Sequence, residues 1–280
     1  MKTKNIILVP FALIVFSCNH YDVQTYIKQA KDFAAKGDYK KAIIDFTSAI
    51  RIDKNNADAY FYRADAYFQL QRLDSAITDF SSVIKINPKY QYAYTRRGFI
   101  YYKIGKLNLS IDDYSSEIKK FPNEFEAYYD RGHTFRKQHK YALALQDYTI
   151  AIRINSKDPD TYQERGSVFY EINNIELARQ DFISAIKLNP KDDFSYNYLG
   201  LIYSGLKKYE DAIYQFTSAM KVSSKNTCFY LMNRGNVYRK SGKKELAIVD
   251  YKKAATLGFV DGSKLLKEYY NIDYPGGKVK

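Results

Sequence analysis

Apolar residues recur along this chain at helical spacing, and the helical pattern itself repeats. In Ala76, Ile77, Phe80, Val83 and Ile84 the apolar positions fall three and four apart, which places one buried stripe on an α-helix. The stripe is interrupted by Gly37, Gly105 and Gly242, and again by Asn87-Pro88, Phe121-Pro122 and Asn189-Pro190, all residues that end helices. Asp158 followed by Pro159 reads as an N-cap with proline in the first helical position. The pattern predicts pairs of short antiparallel helices joined by tight turns.

The pairs follow a period of 34 residues. Tyr26, Tyr60, Tyr94, Tyr128, Tyr162 and Tyr196 are spaced by that interval, and a seventh copy follows one residue late with Leu231 in the tyrosine slot. Counting from Val23, Ala57, Gln91, Phe125, Pro159, Asp193 and Cys228, the eighth residue is always Ala or Gly. The twentieth is Ala or, at Ser110, serine. Small side chains at both places allow two helices to approach closely. Aromatic rings stand at position 11 (Phe33 to Tyr238) and position 24 (Phe46 to Tyr251), where they fill the space between pairs. Self-similarity of this kind predicts an all-α solenoid built from residues 23–258.

The pattern resembles the tetratricopeptide repeat (TPR), which carries Trp or Tyr at 4, Gly or Ala at 8, Tyr at 11, Ala at 20, an aromatic at 24, Ala at 27 and Pro at 32. Val83 and Glu117 depart from it at 27, and Lys54, Ser156, Ser224 and Phe259 at 32. The resemblance implies a right-handed superhelical solenoid of about seven helix-turn-helix repeats. It also implies a scaffold that binds a protein or peptide. First-helix positions 2, 5, 9, 12 and 13 line the concave groove in that family. Here they include the rings Phe61, Phe68, Tyr92, Phe99, Tyr102, Tyr129 and Tyr170, together with His133, Arg136 and Lys137. Aromatic residues are favoured binding anchors, and these ten form the candidate binding groove. Position 12 rings also suit packing between repeats. The clamp with which chaperone-binding TPR domains hold a C-terminal carboxylate needs Lys at position 5, and no copy has it. An aromatic groove that binds a glycan or other small ligand is the alternative; the absence of Trp counts against it.

Position 7 is Arg63, Arg97, Arg131, Arg165 and Arg234, and position 23 of the same copies is Asp79, Asp113, Asp147, Asp181 and Asp250. Copy six loses both together, as Leu199 and Gln215. The joint loss predicts an ion pair that braces the two helices of each repeat holding both residues, worth about 0–1 kcal/mol each if half-exposed; copy one, with Gln29 and Asp45, is the mismatch.

The chain opens with Lys2 and Lys4, an apolar run from Ile6 to Phe16, and Ser17-Cys18. At about 1.5 Å per helical residue this run is far shorter than a bilayer core of about 30 Å, so residues 1–17 read as a signal peptide. Val15-Phe16-Ser17-Cys18 resembles a lipobox, which implies cleavage before Cys18 and its lipidation, with residues 18–22 as a linker. By resemblance to proteobacterial sorting, Asn19 rather than Asp after the cysteine leans toward the outer membrane. The expectation is a bacterial envelope lipoprotein facing the periplasm, with the cell surface as the alternative. TPR lipoproteins of this type serve barrel and pilus assembly.

The formal net charge of +13 falls to +11 without Lys2 and Lys4. The groove positions hold six cations against five anions, so the basic excess lies elsewhere and nucleic acid is not the expected partner. Once Cys18 is acylated, Cys228 has no partner for an intrachain disulfide. No phosphate loop, paired-cysteine spacing or nucleophile elbow is present, and no two of His20, His133 and His139 stand four apart. The sequence predicts no catalysis, no cofactor and no metal. Leu265, Leu266, Tyr269 and Tyr270 predict a capping helix within 259–271, laid near Ile248, Tyr251 and Ala255, and Pro275-Gly276-Gly277 predicts a disordered tail over 272–280.

Overall fold

The computed structural model describes residues 22–275, and all regular structure among them is α-helical. The signal segment 1–17 and Cys18 lie outside the described residues. The described residues fall into two compact units, divided between Ala93 and Tyr94.

The first unit contains two antiparallel pairs, α1 (Val23–Ala35) with α2 (Tyr39–Ile52) and α3 (Ala57–Gln69) with α4 (Leu73–Ile86). The second contains α5 (Ala93–Lys103) and α6 (Leu107–Lys120), α7 (Phe125–Lys137) and α8 (Tyr141–Ile154), and α9 (Pro159–Glu171) and α10 (Ile175–Leu188). It continues through α11 (Asp193–Gly205) and α12 (Tyr209–Val222), α13 (Thr227–Lys240) and α14 (Lys244–Thr256), and ends with α15 (Val260–Tyr270). Within this unit each pair packs on the next in chain order.

Local chemistry sets the helix limits. Asp22, Asn56, Asp158 and Asp192 accept from the backbone amides of Thr25, Ala59, Thr161 and Ser195, at 2.7, 3.0, 2.8 and 3.1 Å. Each satisfies a donor that the helix itself leaves free. The equivalent place before copy three is Tyr90, which cannot cap in this way. The helix α5 starts at Ala93, and Gln91 and Tyr92 sit in a turn. The turn between the two helices of every copy places position 15 in the left-handed region. Glycine takes it at Gly37, Gly105 and Gly242, but Gln71, His139, Asn173 and Lys207 adopt it too, at φ 58, 58, 60 and 59°. A side chain there costs about 1 kcal/mol or more. Lys207→Gly should therefore raise stability by about 0.5–1 kcal/mol, net of the added freedom of the unfolded chain. A urea midpoint that falls instead would show that the Lys207 side chain carries a compensating contact.

The core follows the repeat. The position 20 and 24 residues Ala42, Phe46, Ala76, Phe80, Ala144, Tyr148, Ala178, Phe182, Ala212 and Phe216 are all buried. The small residue at position 8 meets the ring at position 24 of its own copy. A Cβ on Gly132 would lie 3.0 Å from Cε1 of Tyr148 and 3.3 Å from Cβ of Asp147. These two residues, rather than Ala144, set the tightest contact. Gly132→Leu should cost about 1–3 kcal/mol, because neither the ring nor the backbone can withdraw cheaply. Wild-type denaturation of that variant would mean that α7 and α8 tolerate a wider separation.

The last repeat is covered by α15. Leu266 is fully buried with Leu231, Met232, Ala247, Tyr251 and Ala254, and Ile248, Leu265 and Tyr270 pack around them. Asn271 turns left-handed, and the Ile272 amide donates to the Leu266 carbonyl at 3.1 Å, which closes the helix. Ile272 and Tyr274 then join the same cluster. Packing thus extends past residue 272, where the sequence predicts disorder; residues 276–280 lie outside the described residues.

Candidate binding surface

In five of the seven repeats an arginine at position 7 fixes the geometry of the helix pair. Arg131 donates through Nε and Nη2 to Asp147 Oδ2 and Oδ1, at 2.8 Å each, and Arg63–Asp79, Arg97–Asp113, Arg165–Asp181 and Arg234–Asp250 repeat the two-point contact. The aspartates are buried, so the brace is less exposed than the sequence suggests. The third guanidinium nitrogen reaches the preceding copy. Arg63, Arg131, Arg165 and Arg234 donate to the hydroxyls of Thr47, Ser115, Thr149 and Thr217, at 3.0, 3.0, 3.1 and 2.9 Å. One side chain therefore ties two helices of its own repeat to the repeat before it. At copy six, where Leu199 and Gln215 replace the pair, the hydroxyl position of copy five is Ile183.

The candidate groove residues divide between the two units. In the first, Phe61 is half-buried among rings, with centroids 5.6 Å from Tyr62, 5.4 Å from Phe80 and 5.0 Å from Tyr90. It acts in packing. Phe68 is half-buried on α3. Tyr92 is exposed at φ 68° in the turn before α5, so it does not present its ring from a helix as its repeat position predicts.

In the second unit, four of the residues converge. Phe99 and Tyr102 from α5, and Tyr129 and His133 from α7, line a cavity of about 190 Å³ with Tyr114 of α6 and Asp130 of α7. Tyr102 meets the His133 ring edge-on at 5.4 Å, and the Lys137 ammonium lies 4.3 Å from the centroid of the Tyr102 ring. Arg136, on the same helix, turns away from the cavity. It donates to Glu164 and Glu171 of α9, at 2.5 Å in each case, and so links copies four and five. Tyr170 packs edge-on against Tyr198 at 5.1 Å, the inter-repeat role open to position 12.

Two polar groups at this cavity differ from their ordinary state. Burial lowers the His133 imidazole below its usual value against the pull of Glu164, which leaves it neutral near pH 7. Burial, aided by the Glu126 carboxylate and opposed by Arg96, pushes Asp130 up to about 7. Among the described residues, no donor hydrogen-bonds to the Asp130 carboxylate. Asp130 stands at position 6, outside the five groove positions that the resemblance supplies, and sequence reasoning passed over it. A signal was available: position 24 is Phe in copies one, two, five and six but Tyr114, Tyr148 and Tyr251 in three, four and seven, a polar substitution inside a core.

Sequence profiles described as "TPR repeat" match residues 30–71 and 64–105, and profiles described as "Tetratricopeptide repeat" match 159–192, 182–214 and 230–257. Together they cover more than half of the chain, which belongs to the tetratricopeptide-repeat family. No curated protein sequence matches it. Among solved structures, the C-terminal part of a TPR repeat-containing protein from Cytophaga hutchinsonii is 20% identical, with a TM-score of 0.70 over 84% of this chain and 98% of that one. A TPR protein from Parabacteroides merdae is 22% identical, with a TM-score of 0.64 over 88% and 96% of the two chains. YrrB, described as a TPR protein with an unusual peptide-binding site, is 17% identical, with a TM-score of 0.57 over 71% and 97%. At these identities the likeness speaks for the fold. No described helix is long and apolar enough to cross a membrane.

Proposed function

We propose that this protein is a lipid-anchored scaffold of the bacterial cell envelope that holds a protein or peptide partner. The observation that carries the reading is the convergence of Phe99, Tyr102, Tyr129 and His133 from two successive first helices on one cavity. Rings of this kind supply large contact area at low entropic cost. YrrB shares the fold and is described as having a peptide-binding site, which supports a peptide as the ligand class. The anchor rests on Val15-Phe16-Ser17-Cys18 behind a short basic and apolar leader. Acyl chains on one cysteine are enough to hold a water-soluble domain at a bilayer.

Both halves are testable on the expressed full chain. Intact mass of the membrane fraction should show a polypeptide beginning at Cys18 with added acyl mass. A water-soluble product, unchanged by Cys18→Ala, would refute the anchor. Quantitative pull-down from envelopes should recover a partner with wild type and lose it with the Phe99→Ala/Tyr102→Ala double variant. Recovery that the double substitution leaves untouched would move the binding surface elsewhere.

A further inference from the structure

The cavity between α5, α6 and α7 carries more information than a patch of rings. Its walls come from three helices: Phe99 and Tyr102, Tyr114, and Tyr129. At about 30 Å³ per water in the liquid, its volume of about 190 Å³ equals roughly six waters. That is room for the end of one long side chain. The one carboxylate among its lining residues belongs to Asp130, and no described donor serves it. A half-buried carboxylate without a partner is costly; it is relieved either by taking up a proton or by a cation supplied from outside.

We propose that this cavity is a cage for the cationic end of a lysine or arginine side chain on the bound peptide, with Asp130 as the counter-ion. The proposal rests on the peptide-scaffold reading above and specifies what the peptide must present. Aromatic faces attract an ammonium or guanidinium through the ring quadrupole, more strongly when the cation is desolvated. Ion pairing to Asp130 adds a charge-assisted hydrogen bond in the same place. A neutral polyol would find the rings but could not neutralise the carboxylate. Arg96 favours the charged form of Asp130 from a distance, but no cation among the described residues hydrogen-bonds to it. Arg136 is held by Glu164 and Glu171, Lys137 lies against Tyr102, and Arg96 is solvent-exposed. His133, kept neutral by burial, adds no positive charge to oppose an incoming one.

The test uses the full-length chain in mild detergent and fluorescein-labelled, amidated peptides of Gly, Ser and Ala. Each carries one central Lys, Arg, citrulline, norleucine or Glu, and binding is read by fluorescence anisotropy. Lys and Arg peptides should bind about tenfold or more tighter than the neutral and acidic ones. Asp130→Asn, which keeps the shape, should bring all five to within about twofold. Tyr102→Leu, a second variant that leaves the carboxylate in place, should weaken the Lys and Arg peptides alone; circular dichroism checks that both variants keep wild-type helicity. Equal binding of neutral and cationic peptides, or a cationic preference that survives Asp130→Asn, overturns the cage and leaves the peptide scaffold standing. Failure of every peptide at millimolar concentration, with maltohexaose binding in their place, overturns both.

Discussion

Asp147→Ala should destabilise copy four by about 3 kcal/mol, and the triple substitution Ser115→Ile, Arg131→Leu, Asp147→Gln should restore most of that loss. The Asp147 side chain is 3% exposed and that of Arg131 19%, so removing one partner strands the other where water reaches it poorly. The Ser115 hydroxyl also loses the order that Arg131 imposes through a 3.0 Å contact. The triple variant copies what the chain already does between copies five and six, where Ile183, Leu199 and Gln215 take the three places. Replacing both members of a buried pair with uncharged groups removes the desolvation of two charges together with their attraction. In copy three, burial outweighs the Arg97 guanidinium and holds Asp113 above the usual carboxylate range, which argues that such pairs fix geometry more than they add stability. Hydrogen exchange of the α7 and α8 amides is the suitable measurement, since repeat arrays do not always unfold in one step. A loss below about 1 kcal/mol would return the brace to the class of surface ion pairs. A triple variant no better than the single one would show that copy six is stabilised by other means.

The repeat was legible in the sequence because each copy repeats the same physical problem, two helices that must approach at position 8 and be filled at positions 11 and 24. The Arg–Asp brace was legible because copy six loses both partners together, to Leu199 and Gln215. Its third partner was not, because Ser and Thr at position 25 read as ordinary polar helix residues until Thr47, Ser115, Thr149 and Thr217 are seen on the guanidinium. Ile183 was the missed clue. The register shifts at one point: the 34-residue period starts copy three at Gln91, but the Tyr90 hydroxyl donates to Asp58, at 2.6 Å, and its ring lies tilted 5.0 Å from that of Phe61 instead of capping a helix. That changes the meaning of both Tyr92 and Phe61 as groove residues. Periodic reasoning also concealed Asp130. A pattern identifies what copies share, and Lys28, Tyr62, Arg96, Asp130, Glu164, Tyr198 and Asn233 at position 6 share nothing. A site that belongs to one junction is written in the departures from the repeat.

Asp130→Asn should make the protein more stable near pH 8 and leave it unchanged near pH 4. Asp130 is pushed up to about 7 in the folded chain, against 3.8 for the ordinary side chain. Between those values the native state holds a proton that the unfolded chain has released. Stability therefore falls as pH rises from about 4 to about 7, and is flat above. The titratable groups around the carboxyl are Glu126, Tyr129 and His133 on its own helix, Arg96 and Tyr102 on α5, and Tyr114 on α6. Of these, Glu126 reinforces the shift and Arg96 moderates it. A shift of about three units corresponds to roughly 4 kcal/mol, which partial solvent access reduces to about 2–4 kcal/mol. Asparagine has the same shape and no charge to desolvate, so the difference between variant and wild type isolates this one residue from every other titrating group. Urea unfolding and α7 exchange protection at pH 4.5, 6 and 8 should show the two proteins diverging as pH rises. Parallel curves would mean that Asp130 is solvated as well in the folded chain as in the unfolded one. A gain in stability on removing a charged side chain is the pattern expected where a residue is kept for what it binds rather than for the fold.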